Sequence, residues 1–174
     1  MTEIVSQNPS AEAVQAYQEG DFVNAARLFG DAASLLSADG KKTDAAEMKN
    51  NQSVAFAQCG NAQAALDAVH GTDQIFAEAG DFRRQGLALS NEATALEALK
   101  RFAEALGFYR SAADALEKAN EDQARAAVMQ AVAGIQLRQG KVLEALLSMR
   151  IGLAGVKTPT LKQKILRGML RLVK

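Results

Sequence analysis

The single histidine and single cysteine of this chain, His70 and Cys59, could in principle act together as a base and a nucleophile. Such a pair requires both side chains to lie within hydrogen-bond reach in one site. A predicted turn at Gly60 lies between them, so we expect both residues to serve in helix packing instead. A single histidine also excludes a metal site built on two histidines. We therefore expect no metal site and no cofactor.

The other candidate motifs do not meet the requirements of the chemistry they resemble. Residues 40–43, Gly-Lys-Lys-Thr, lack the upstream glycine of a phosphate-binding loop and follow a predicted helix where such loops follow a strand. The carboxylates are spread over helix faces among lysines and arginines, and no two are placed for acid–base work. Glu97, Lys100, Arg101 and Glu104 have the pattern of a solvated surface network. The sequence therefore predicts no catalytic residues.

Composition and charge restrict the classes of partner. The chain has 174 residues, 48% of them apolar, and a formal net charge of zero, so no bulk attraction to nucleic acid or anionic membrane is expected. The first ten residues lack the basic and apolar segments of a signal peptide, and no apolar run is long enough to span a membrane. A lone cysteine suits a reducing compartment. We expect a cytoplasmic protein without integral membrane association.

One pattern recurs every 40 residues without insertion or deletion. A turn position is followed by a small residue five places later and preceded by another seven places earlier, as close helix crossings require. The turn positions are Gly20, Gly60, Lys100 and Gly140; the small residues are Ala25, Ala65, Ala105, Ala145 and Ala13, Ser53, Ala93, Ala133. Larger residues follow nine and sixteen places after the turn, namely Phe29, Val69, Tyr109, Met149 and Leu36, Phe76, Leu116, Val156.

Abundant alanine and regularly spaced glycines predict helices nearly throughout. We expect nine, at residues 9–19, 22–38, 42–59, 62–79, 83–99, 102–119, 122–139, 142–156 and 160–173. Asn8 with Pro9, and Thr158 with Pro159, are expected to be N-cap and first-turn pairs. In the fifth helix the leucines form an apolar stripe that leaves Glu92 outside it.

The segments GDFVNAARLFGDAA, KRFAEALGFYRSAA, GNAQAALDAVHGT and GKVLEALLSMRIG resemble the turn and second helix of tetratricopeptide repeats. The 40-residue period is similar to that of kinesin light chains and Pins-type adaptors. The resemblance implies one domain, residues 1–174, that is an all-α, right-handed solenoid. Its four helix pairs would span about 6–40, 41–80, 81–120 and 121–157, with a capping helix at 159–174. It also implies a non-enzymatic scaffold whose partner is a protein or peptide.

In such a solenoid the first helices line a concave groove, where the residues nine before each turn would point. Asn51 and Asn91 occupy two of these four places, and Ala11 and Ala131 the others. An asparagine amide both donates and accepts, and a ladder of them is associated with extended-peptide binding in the 40-residue repeat family. A merely tolerated polar face explains the pattern equally well. Neighbouring groove candidates are Glu47, Asn50, Val54, Gln58, Leu87, Ser90, Thr94 and Glu97.

Charge changes steadily along the chain. Successive 40-residue blocks carry −5 (six acids, one base), −2 (five, three), 0 (six, six) and +2 (three, five), and the last 14 residues add +5. The last helix either only caps the stack against Leu146, Met149 and Leu153, or also forms an association patch toward an acidic partner, a lipid headgroup or another copy. That patch would comprise Leu161, Lys162, Ile165, Arg167, Met169 and Arg171. A chaperone for one client and a homo-oligomerising protein are the alternatives to an adaptor, followed by an unrecognised helical enzyme.

Overall fold

Ten α-helices, joined by short turns, follow one another in residues 9–170, the part of the chain that the computed structural model describes. Strands are absent from this part of the chain. The helices are α1 Pro9–Gln18, α2 Phe22–Ala38, α3 Lys42–Gln58, α4 Ala62–Val69, α5 Thr72–Glu78, α6 Phe82–Ala98, α7 Phe102–Lys118, α8 Asp122–Arg138, α9 Val142–Ala154 and α10 Leu161–Leu170. The predicted all-α class is confirmed.

The turns between helices share one backbone geometry. The residue after each helix cap has a positive φ, between 71° and 82° at Gly20, Gly40, Gly60, Gly80 and Gly140. The next N–H donates to a carbonyl five residues back, as Asn61 does to Phe56 at 2.9 Å, and this closes the helix end. Lys100 and Asn120 adopt the same conformation, with φ of 61° and 58°, although each carries a Cβ. The 20-residue spacing therefore sets the helix lengths.

Consecutive helices pack against each other, and the small residues lie at their crossings. Ala25, Ala65, Ala105 and Ala145 are all fully buried, as are Ala13, Ala93 and Ala133, with Ser53 at 1% exposure. Phe29, Val69, Tyr109, Phe76, Leu116 and Val156 are buried between the helices, while Leu36 and Met149 are half-buried. The chain is an all-α solenoid of stacked helix pairs, as predicted.

The predicted helix at 62–79 is wrong in one respect, because it is broken in two. α4 ends at Val69, Gly71 has a φ of 77°, and α5 begins at Thr72. The buried Thr72 hydroxyl donates to the Val69 carbonyl at 2.7 Å, which satisfies a group released by the break. The other repeats lack a Gly-Thr pair here, and their second helices continue.

The predicted start of the last helix is also wrong. The cap is Thr160 rather than Thr158: the Thr160 N–H donates to the Gln163 side chain at 2.9 Å, and the Gln163 N–H donates back to Thr160 Oγ1 at 3.3 Å. This reciprocal pair satisfies two N–H groups at the helix start. Asn8 and residues 171–173 of the predicted helices lie outside the described part of the chain.

Candidate functional site

The predicted groove lies where α3 and α6 pack side by side. Asn91 donates its side-chain amide to Asn50 Oδ1 at 2.9 Å, across the two helices. Asn51 is half-buried, one residue further along α3. The amide pair at this surface is thus Asn91 with Asn50, although the register predicted a ladder of Asn51 and Asn91.

The other groove candidates surround this pair with different degrees of exposure. Val54, Leu87 and Ser90 are half-buried, and Gln58 is exposed. Glu47 forms an ion pair with Arg84 Nη1 at 2.9 Å, which connects α3 to α6 a little less than one helical turn from Asn50. This face therefore combines amides, an apolar strip and a fixed carboxylate.

Glu97 belongs to a network that crosses three helices. The Tyr109 hydroxyl donates to Glu97 Oε2 at 3.0 Å and lies 3.1 Å from the Thr94 hydroxyl, while Arg138 bonds the other oxygen of Glu97. Burial raises the pKa of Tyr109 to about 12. Of the predicted solvated network, Arg101 and Glu104 do pair on the surface, at 2.6 Å, but Glu97 is held between α6, α7 and α8.

A cleft on another face of α6 escaped the sequence-based prediction. It has a volume of about 510 Å³ and lies between α4 and α7, with α6 as its floor. We call it the outer cleft. It is lined by Gln63, Leu66, Asp67, His70, Glu92, Leu96, Arg101, Glu104 and Phe108.

The floor of the outer cleft carries a buried carboxylate. Glu92 is 3% exposed, which contradicts its predicted place outside the apolar stripe, and its Oε1 lies 3.0 Å from Nδ1 of His70. The break before α5 places the His70 ring over the carboxylate. The hydrogen bond from the imidazole, with the charge of Glu92, raises the pKa of His70, and Asp73 and Asp67 add to the effect. The His70 side chain is 77% exposed and Cys59 is exposed, so the predicted packing role is wrong for both.

Equivalent places in the other repeats are filled differently. Gln52, 40 residues before Glu92, donates to the Ala26 carbonyl at 3.0 Å. Its amide occupies the space beside Gly30, where an added Cβ would lie 2.4 Å from Nε2. Val132, 40 residues after Glu92, is buried and apolar. The signal that the sequence offered was therefore the combination of His70, Gly71 and Glu92, all departing from the repeat.

α10 is attached to α9 by one side of its surface. Leu170 is 5% exposed, and Arg167 donates to the carbonyls of Leu153 and Val156. Leu161, Ile165 and Met169 are 76%, 58% and 60% exposed. Lys162 is exposed as well, and Arg171 lies outside the described residues. Within the predicted association patch, Arg167 thus serves attachment, while the three apolar side chains face outward.

Within residues 9–170, no group of three or more His, Cys, Asp or Glu residues is placed to hold a metal ion. No helix of this part of the chain has the length and apolar character needed to cross a membrane.

Comparison with known proteins supports the fold. The crystal structure of BtubC (BKLC) from P. vanneervenii, a kinesin light chain-like protein of helical repeats, matches with a TM-score of 0.74 at 19% sequence identity. The match covers 94% of this chain and 70% of that chain. No family model and no curated protein matches the sequence. At this identity the likeness concerns the fold alone, which is that of a helical repeat protein.

Proposed function

We propose that this chain is a non-enzymatic, tetratricopeptide-like scaffold that binds an extended segment of a partner protein across the face of α3 and α6. The observation that carries the proposal is the half-buried amide pair of Asn50 and Asn91, which joins two neighbouring first helices of the stack. Helical repeat stacks typically use such extended surfaces to bind other proteins. The proposal requires neither a cofactor nor nucleic acid.

The chemistry of this face suits a peptide backbone. Each asparagine amide offers two donors and an acceptor, and the Asn91–Asn50 bond uses one donor and one lone pair of the acceptor. The remaining groups, together with Asn51, are matched to the alternating N–H and C=O groups of an extended segment. Leu87 and Val54 provide apolar contacts beside them, and Glu47 a fixed negative charge. Recognition of this kind would be tolerant of the partner's side chains.

A displayed peptide library of random sequence tests the proposal, because it does not require the partner to be identified. Peptides selected on the wild-type protein should bind Asn51→Ala/Asn91→Ala roughly ten- to a hundredfold more weakly, since each lost hydrogen bond contributes about 0.5–1.5 kcal/mol. Gln130→Ala, on the exposed surface of α8, is the matched control and should bind as the wild type does. Selected peptides that bind all three proteins equally would contradict the proposal.

A second candidate function, self-association, rests on the exposed apolar residues near the last helices. On α9, Leu143, Leu147 and Ile151 are 78%, 46% and 39% exposed. The places equivalent to Leu147 hold Arg27, Asp67 and Gly107, so the apolar stripe is specific to the fourth repeat. With Leu161, Ile165 and Met169 of α10, it offers more apolar surface than scattered exposed residues would. The oligomeric state as a function of salt tests this candidate.

A further inference from the structure

Three departures from the 40-residue pattern coincide at the outer cleft. The second helix is broken at Gly71, the residue before the break is His70, and a carboxylate, Glu92, occupies the floor position of Gln52 and Val132. The break and the histidine act on the same group, because they bring an imidazole within 3.0 Å of that carboxylate. This cleft is therefore built differently from its repeats.

The buried charge of Glu92 is not required for the fold. Burying a carboxylate costs free energy unless it is paired, and Glu92 is 3% exposed. The repeat pattern offers a neutral amide at Gln52 and an apolar side chain at Val132 in the same place. The partner of Glu92 is also weakly held, since the His70 side chain is 77% exposed. A more strongly cationic group arriving from outside would compete with it for the carboxylate.

The rest of the cleft has two kinds of surface. Leu66, Leu96 and Phe108 are apolar walls. The charged lining consists of Asp67, Glu92 and Glu104 against Arg101 and His70, and Arg101 is already paired with Glu104 at 2.6 Å. The negative charge that remains lies near Glu92. An alkyl stem that ends in a positive charge matches both surfaces.

We propose that the outer cleft binds a lysine or arginine side chain of a protein partner, whose cationic group replaces the His70 imidazole on Glu92. Asp67 of α4 and Glu104 of α7 flank the bound charge, and Leu66, Leu96 and Phe108 contact its methylene stem. The site lies on a different face of α6 from Asn91, so it does not depend on the peptide-binding function proposed above.

Binding at this site is coupled to the titration of His70. The charged groups around the imidazole are Glu92 of α6, Asp67 of α4 and Asp73 of α5, with Glu104 and Arg101 at the cleft wall. A bound cation removes the hydrogen bond and adds positive charge, both of which lower the pKa of His70. Conversely, binding tightens as rising pH removes the proton of His70.

Proton NMR tests the proposal directly, because the single histidine gives one imidazole signal. The probes are Nα-acetyl-lysine methylamide and its uncharged counterpart Nα-acetyl-norleucine methylamide. The lysine compound should lower the pKa of His70 and half-saturate on the order of 1–10 mM, as suits a single charged contact, while the norleucine compound should not. Glu92→Gln should bind the lysine compound about tenfold more weakly. Glu144→Gln, an exposed carboxylate of α9, is the control.

Three results would overturn the proposal: no response to the lysine compound, an equal response to the norleucine compound, or unchanged affinity in Glu92→Gln. A spermidine titration separates the sources of a cation, since much tighter spermidine binding would assign the site to a free polyamine and not to a partner side chain. If circular dichroism shows that Glu92→Gln is unfolded, Asp67→Asn, an exposed residue of the cleft, replaces it in the same comparison.

Discussion

His70 Nδ1 lies 3.0 Å from Glu92 Oε1, and this contact ties the break between α4 and α5 to the middle of α6. The two residues differ sharply in environment, because the imidazole is largely exposed and the carboxylate is buried. The contact raises the pKa of His70 in the folded protein, which makes its effect on stability dependent on pH.

The free energy of unfolding should therefore depend on pH through His70. A raised folded pKa means that the stabilisation is fully present below the usual histidine value of 6.5 and is lost as pH rises through the folded pKa. We expect at most about 1 kcal/mol, because the imidazole is largely exposed. The measurement is urea unfolding of the wild type and His70→Asn from about pH 5 to about pH 9. A difference between the two proteins that does not change with pH would contradict the prediction.

Two glycine substitutions separate backbone strain from packing. A Cβ at Gly60 or at Gly107 would meet no atom within 4 Å, but Gly60 has a φ of 75° whereas Gly107 lies within α7. Gly60→Ala should lower the free energy of unfolding by about 1 kcal/mol, and Gly107→Ala should raise it by about 0.5–1 kcal/mol. Thermal unfolding of both variants checks this, and changes of the same sign would show that the left-handed turn is not what requires glycine.

Ala105 should be intolerant of a larger side chain. It is fully buried where α7 crosses its neighbours, so Ala105→Leu must displace packed atoms at a cost of roughly 1–3 kcal/mol. Ala103→Leu, two residues earlier on the exposed side of α7, is the matched control and should change the free energy of unfolding by less than about 0.5 kcal/mol. Equal effects in chemical denaturation would mean that the crossing has room to relax.

The helix pattern was predictable because it is written into backbone chemistry. Glycine at Gly20, Gly60 and Gly140 marks left-handed turns, and alanine at Ala65 and Ala105 marks close crossings. Each is a local requirement that one residue type meets best, so repetition in the sequence reveals it. Lys100 shows the limit of the rule, since it adopts the same turn with a side chain present.

The candidate sites were less predictable because they depend on single departures from the repeat. The break at Gly71 follows from a glycine and a threonine that a propensity average does not resolve. Glu92 was expected to be exposed because a helical stripe counts only its own helix, whereas α4 and α7 border the cleft above it. Asn91 bonds Asn50 and not Asn51 because adjacent helices are offset, which register alone does not reveal.

The outer side of α10 should mediate salt-sensitive association, while its inner side stabilises the stack. Ile165 and Met169 are more than half exposed, whereas Leu170 is 5% exposed. Ile165→Ser/Met169→Ser should therefore abolish association and leave the free energy of unfolding nearly unchanged. Leu170→Ala should lower that free energy by about 2–3 kcal/mol through lost packing.

Sedimentation velocity at low and high salt, paired with urea unfolding, measures both effects. The basic residues Lys162 and Lys164 should make the association weaken as salt screens their attraction to an acidic surface of another copy. Deletion of residues 159–174 should remove association and reduce stability together, because both sides of the helix are lost. If the full-length protein stays monomeric at low salt while Leu170→Ala is destabilised, α10 acts only as a cap, and the exposed Ile165 and Met169 have no role in self-association.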